Sequence, residues 1–235
     1  MQISRLKQFI IVFLTFFALG ASFKVMVLIE GLTEVRPVNA VPPVAGLAFG
    51  PIGALACGIG NLFADLFGSF RPSSVLGVIV NFIAAYLPFR LWHLFSGESP
   101  NLHKNKNILL YMVICLINAF TTAWFLSFGI YTFFGLWIEA MYTYVFFNNF
   151  GFSICLGMPI FIVLTSDSVQ ITCEKRYPYL VLDRIALKIP VCAVYFLLMS
   201  IIFVCVFIMH LSPQESPWLQ ILSALSFLGL VVQLI

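Results

Sequence analysis

Long apolar runs separated by short polar breaks dominate this chain. Residues 8–23, 37–64, 72–89, 107–138, 140–166, 189–214 and 216–235 carry no acidic or basic side chain other than histidine. A helix needs about 20 mainly apolar residues to cross roughly 30 Å of hydrocarbon, so most of these runs are of crossing length. None alternates apolar and polar positions as a barrel strand does, and a bilayer admits only helices or closed barrels. The pattern predicts an all-α fold, a polytopic membrane helix bundle.

The run 37–64 has an internal structure of its own. Small residues recur every fourth position, first Gly46, Gly50, Ala54 and Gly58, then Ala56, Gly60, Ala64 and Gly68. In lipid, such rows make flat faces on which helix backbones approach closely. Gly50–Pro51 interrupts them, and a proline suits the first turn of a new helix. The stretch 35–68 therefore reads as two short helices, with one kinked span as the alternative. Residues 38–49 would reach only about 18 Å at 1.5 Å per residue, short of a full crossing.

Composition agrees with the membrane reading: of 235 residues 62% are hydrophobic and 9% charged, with mean hydropathy +1.06. A water-soluble domain of this length needs more charge to cover its surface. The N-terminal run follows Arg5 and Lys7 and lacks a small-x-small cleavage site with a polar mature start, so it reads as an uncleaved first span. Seven of the 12 Lys/Arg residues lie in or beside segments 90–107 and 167–188. The positive-inside rule places both segments in the cytoplasm. An even number of crossings must join them, so 108–130 is one span and 150–166 its return. The intervening 131–149 then lies at the outer face as an interfacial or re-entrant piece. With a break at Gly50, nine basic residues fall inside and three (Lys24, Arg36, Arg71) outside. Eight spans result, with both termini cytoplasmic in a cell membrane.

Against this background the intramembrane polar groups stand out. Arg36 and Asn39 open the second helix, while Asn61 and Asp65, four apart, share a face of the third. Asn81 lies in the fourth helix, and Glu139, Tyr142, Asn148 and Asn149 lie before the sixth. Lys24 and Glu30 close the outer end of the first. Charges in apolar spans pair with one another or face a cavity. Two readings follow: a polar pocket open to the outer side, or Asp65 neutralising Arg36, Lys24 or Arg71 while the asparagines hold helices together. Asn118, alone in its span, reads as interhelical glue.

No sequence motif for covalent chemistry is present: no G-x-x-x-x-G-K-[ST], no H-E-x-x-H, no G-x-S-x-G. The six cysteines are scattered without metal or redox spacing and read as small packing residues. The chain reads as a non-enzyme, with no catalytic residue, cofactor, metal or nucleic-acid partner expected.

The stretches "AGLAFGPIGALACGIGNLFADLFG" (45–68) and "SSVLGVIVNFIAAYLPFRL" (73–91) resemble the substrate-binding membrane subunits (S components) of energy-coupling factor (ECF) transporters. Gly46, Gly50, Pro51 and Gly53 match that family's Gly-Pro joint, and Gly60, Asn61, Ala64 and Asp65 its Gly-rich third helix. Residues 49–66 are also similar to the queuosine-precursor branch. The resemblance implies a six-helix substrate-binding domain over 1–170 that captures a small vitamin-like or nucleobase-like molecule from the outer face. The candidate substrate-binding residues are Arg36, Asn39, Asn61, Asp65, Asn81, Glu139, Tyr142 and Asn148. It also implies partners: a transmembrane coupling subunit and two cytosolic ATPases, besides membrane lipid. The coupling subunit would dock at Ala18 and Ser22, where serine stands in place of the commoner alanine. Residues 171–235 depart from the family pattern by adding a cytoplasmic loop and a C-terminal transmembrane hairpin. A self-contained transporter, or a non-transporting membrane assembly protein with its pocket plugged by side chains, are the alternatives.

Overall fold

A computed structural model describes residues 4–23, 26–29, 33–68, 70–166, 169, 173 and 185–235. Lys24, Glu30, Lys175, Arg176 and Arg184 lie outside the described residues. Among the described residues eight α-helices carry the fold: α1 (Arg5–Ser22), α2 (Val41–Phe67), α3 (Ser74–Phe95), α4 (Asn105–Phe134), α5 (Glu139–Phe152), α6 (Met158–Thr165), α7 (Ile185–Phe203) and α8 (Pro217–Leu234). A minimal antiparallel pair, β1 (Val27–Ile29) with β2 (Thr33–Glu34), and a 3-10 turn (Pro37–Ala40) connect α1 to α2. Among the described residues, seven helical units are long and apolar enough to cross a membrane. The fold is all-α, a polytopic bundle.

The number of units turns on Gly50. Its backbone (φ 57°, ψ −135°) is not helical and breaks α2 into arms 41–49 and 51–67. Glycine adopts φ > 0 without the Cβ penalty that confines other residues. The arms fold against each other: a Cβ on Gly53 would sit 2.2 Å from the Ala45 carbonyl oxygen. The expected two short helices are thus both present, joined by a turn at Gly50–Pro51. The two glycine ladders meet different helices. Gly46 meets the α3 backbone at Ala85 and Gly58 meets α3 at Val78, whereas Gly60 packs on Phe16 and Ala64 on Gly20 of α1. Small residues here let backbones close up, which is what holds helices together where lipid removes the hydrophobic drive.

A second difference concerns 131–149. Only residues 135–138 are non-helical, with Gly135 in the left-handed conformation that ends α4. From Glu139 onward the chain is already helical, running through α5, a π-helical turn (Ser153–Gly157) and α6 to Thr165 as one span-length unit. The expected interfacial piece is the first half of a crossing. The two crossings required between the basic loops are both present, but the return begins at Glu139 rather than at 150. Tyr142, Asn148 and Asn149 are buried inside the bundle, where polar groups can be satisfied by protein.

The C-terminal hairpin is built into the bundle. Phe203 of α7 lies 5.1 Å from the ring of Phe120 in α4 and 4.6 Å from that of Phe146 in α5. Beside them the Thr121 and Tyr195 hydroxyls are 2.7 Å apart, and Asn118 Nδ2 donates to the Ala84 carbonyl at 3.0 Å, the interhelical role its isolation suggested.

The loop between α3 and α4 is tied by charge. Glu98 accepts from Lys104 Nζ at 3.0 Å and from Lys106 Nζ at 3.3 Å. Hydrogen bonds first from Lys104 and then from Lys106, with their positive charges, hold the Glu98 carboxyl below its ordinary value. A carboxyl lowered in the folded state stabilises above its unfolded value and loses that contribution as pH falls through its folded value. The Glu98 ion pair, followed by NMR at its carboxyl carbon, is therefore expected to persist down to the ordinary glutamate pKa of about 4.3 and to fail only below it. Loss already at about pH 6, well above that value, contradicts the assignment.

Candidate functional site

The polar residues predicted near the outer side converge from four directions. Arg36 enters from the segment before the 3-10 turn, with its side chain half-buried. The turn back at Gly50 brings Asn61, on the second arm of α2, level with it. Arg36 Nη2 donates to Asn61 Oδ1 at 2.8 Å, and Asn61 Nδ2 donates to Asp65 Oδ2 at 3.1 Å. Asn61 is fully buried and Asp65 is 8% exposed. A guanidinium, a carboxamide and a carboxylate thus form a directional chain along one helix face, the face set by the four-residue spacing of 61 and 65. From α5, Asn148 Oδ1 accepts the Arg36 backbone N–H at 3.5 Å.

Arg36, Asn39, Asn81, Asn148 and Asn149 line a cavity of about 40 Å³, closed on its apolar sides by Val80, Leu126 and Val145. Two of its carboxamides are turned onto their own helices: Asn81 Nδ2 donates to the Gly77 carbonyl at 2.9 Å and Asn149 Nδ2 to the Val145 carbonyl at 2.9 Å. Their oxygens remain as acceptors. The π-helical turn lies directly below, where Ser153 Oγ donates to the Asn39 carbonyl at 3.4 Å and Tyr111 OH to the Ser153 carbonyl at 3.0 Å. Such turns often re-aim side chains at functional positions.

Six of the eight predicted residues (Arg36, Asn39, Asn61, Asp65, Asn81 and Asn148) therefore gather in one place. Two do not. Glu139 is hydrogen-bonded instead to His210 Nδ1 of the turn between α7 and α8. Tyr142 is fully buried against α7, 6.3 Å from the ring of Phe203, and its hydroxyl has no partner among the described residues. Both face the added hairpin, so a reading based on the first six helices aimed them at the wrong neighbour. Ala18 and Ser22 lie on the outward face of α1, and Ser22 Oγ donates to the Ala18 carbonyl at 2.7 Å.

Gly77 escaped sequence reasoning. A Cβ there would come within 2.8 Å of Asn61 Nδ2 and 3.7 Å of Asp65 Oδ2. The one signal was its place four residues before Asn81, on the same face. Because the obstructing atom is the end of a side chain, Gly77→Ala is expected to leave the fold intact and to displace the Asn61 amide. Ligand affinity falls while the melting temperature stays within a few degrees of wild type, on the order of a 1 kcal/mol perturbation.

No family model, curated protein or solved structure matches this chain. Its residues and their geometry alone carry the function. The site links one cation to one anion through the Asn61 carboxamide and adds further carboxamides, a surface that is neutral overall and rich in both donors and acceptors. Among the described residues no three His, Cys, Asp or Glu side chains are grouped to hold a metal ion.

Proposed function

We propose that this chain is the substrate-capturing membrane subunit of an energy-coupling factor type importer. It takes up a small neutral or zwitterionic molecule that hydrogen-bonds through Arg36, Asn39, Asn61, Asp65, Asn81 and Asn148. The convergence of these groups from four chain segments carries the reading: Arg36, Asn39, Asn81 and Asn148 line one cavity, and Asn61 and Asp65 are joined to it through Arg36. Intramembrane ionisable residues are functional by default, and here one pair is surrounded by amides suited to a planar, amide-bearing ligand. The exposed Ala18–Ser22 face of α1 offers backbone-close packing to a coupling subunit. The lack of a nucleotide-binding motif fits energy supplied by separate ATPases.

A cavity of about 40 Å³ is smaller than the roughly 300 Å³ at which ligand pockets begin, so capture requires the Arg36–Asn61 contact to open. The same small volume favours a second reading, a polar knot that holds four segments together in a non-transporting assembly protein. A thermal-shift screen of the purified full chain against small zwitterions and heterocycles separates the two. A saturable rise in melting temperature supports capture. A flat response across the screen supports the knot. Uptake that requires co-expression of the coupling subunit and ATPases identifies the importer subunit, and uptake without them identifies a self-contained transporter.

A further inference from the structure

A second and much larger cavity lies apart from the polar site, between α4 and α8. It measures about 410 Å³ and is lined by residues of these two helices alone. Trp124 and Phe128 form its floor, 3% and 4% exposed, and Phe227 and Phe133 its rim, 50% and 72% exposed. Both helices are span-length and apolar, so the medium at the rim is hydrocarbon if the bundle sits in a bilayer.

Water is a poor occupant. A buried water needs two to four polar partners, and the groove's Trp124 and Gln220 donors are already engaged with protein. Trp124 Nε1 donates to Ser223 Oγ at 2.9 Å, and Gln220 Nε2 donates to the Pro213 carbonyl at 2.9 Å and to Tyr131 OH at 3.3 Å. An empty groove of this size forfeits dispersion contacts along its whole wall. The groove also has a polarity gradient. Tyr131 and Gln220 sit toward the α4 C-terminus and α8 N-terminus, where the spans end, and Trp124 and Phe227 lie deeper. Aromatic residues with polar tips at the end of a span mark the headgroup level.

We propose that this groove is a specific site for one acyl chain of a bilayer lipid. The chain lies over Trp124 and Phe128, and its ester region lies at Tyr131 and Gln220. Helix α8 of the C-terminal hairpin supplies one wall, which gives it a role independent of substrate capture.

Photolabelling tests this directly. The full-length protein is reconstituted in phosphatidylcholine vesicles containing a lipid with a diazirine on its acyl chain, and adducts are mapped by peptide mass spectrometry. Label is expected at Trp124 and Phe128, which annular lipid cannot reach, as well as at exposed positions such as Leu197 and Leu225. In Ala224→Phe, which fills the groove from an exposed position, label at Trp124 and Phe128 is expected to fall to background while label at Leu197 is unchanged. Label confined to exposed positions in the wild type overturns the proposal. So does labelling of Trp124 that Ala224→Phe leaves undiminished while Leu197 reacts normally. Neither result bears on substrate capture.

Discussion

Gly46→Ala is expected to prevent the bundle from closing. The added Cβ would lie 1.8 Å from the Ala85 carbonyl oxygen, 2.6 Å from its carbon and 3.1 Å from its Cα. All three are backbone atoms in the middle of α3, so no rotamer change relieves the overlap. Overpacking of a core costs about 1–3 kcal/mol, and occasionally more, when side chains can shift; a backbone obstruction belongs at or above the top of that range. Gly53→Ala should follow it closely, with its Cβ 2.2 Å from the Ala45 carbonyl oxygen. Gly50→Ala strains the turn itself, at a cost of about 1–3 kcal/mol for a residue held in a sparsely populated region. Gly151→Ala is the control. It lies within α5 with nothing within 4 Å of the added atom, and a helical glycine replaced by alanine gains roughly 0.5–1 kcal/mol. Melting followed by tryptophan fluorescence in detergent should rank the variants 151, wild type, 50, 53, 46. A Gly46→Ala protein that melts with the wild type would show that α2 and α3 do not meet at Ala85.

That ranking separates what the sequence made legible from what it concealed. The Gly50–Pro51 break could be read directly, because glycine ends one helix and proline starts the next, and no charge interrupts the run around them. The four-residue spacing of Asn61 and Asp65 likewise fixed a shared face by itself. The partners of that face were concealed. Nothing local tells Gly60 that it meets Phe16 of α1, or Gly46 that it meets Ala85, since small residues look alike whichever neighbour they admit. The start of the fifth crossing was lost for a related reason. The placement of the basic loops fixes that an even number of crossings joins them but not where each begins, and nothing local set the start at Glu139 rather than at 150. Glu139 was misdirected because its partner, His210, is 71 residues away in the chain, in a turn that the local pattern does not connect with it.

Arg36→Ala is expected to weaken ligand binding strongly, and set beside Asp65→Asn it reports the charge of the ligand. Removing the Arg36 guanidinium deletes the donor that holds Asn61 Oδ1 at 2.8 Å and leaves that fully buried carboxamide short of a partner. Hydrogen bonds to charged groups are worth about 1.5–3 kcal/mol, a loss of roughly 10- to 150-fold in affinity if the ligand takes over the same guanidinium. Arg36→Lys keeps the charge without the planar fork and should recover only part of it. Asp65→Asn keeps the size and retains an acceptor for Asn61 Nδ2, so its effect isolates the negative charge. A zwitterionic ligand whose cationic group faces Asp65 loses affinity in both variants, whereas a neutral amide-bearing ligand loses it in Arg36→Ala alone. A purely structural knot behaves differently: melting temperature falls in Arg36→Ala, and no ligand raises it in any variant. Unchanged affinity in both substitutions, for a ligand that does stabilise the wild type, would move the binding site away from Arg36 and Asp65 altogether.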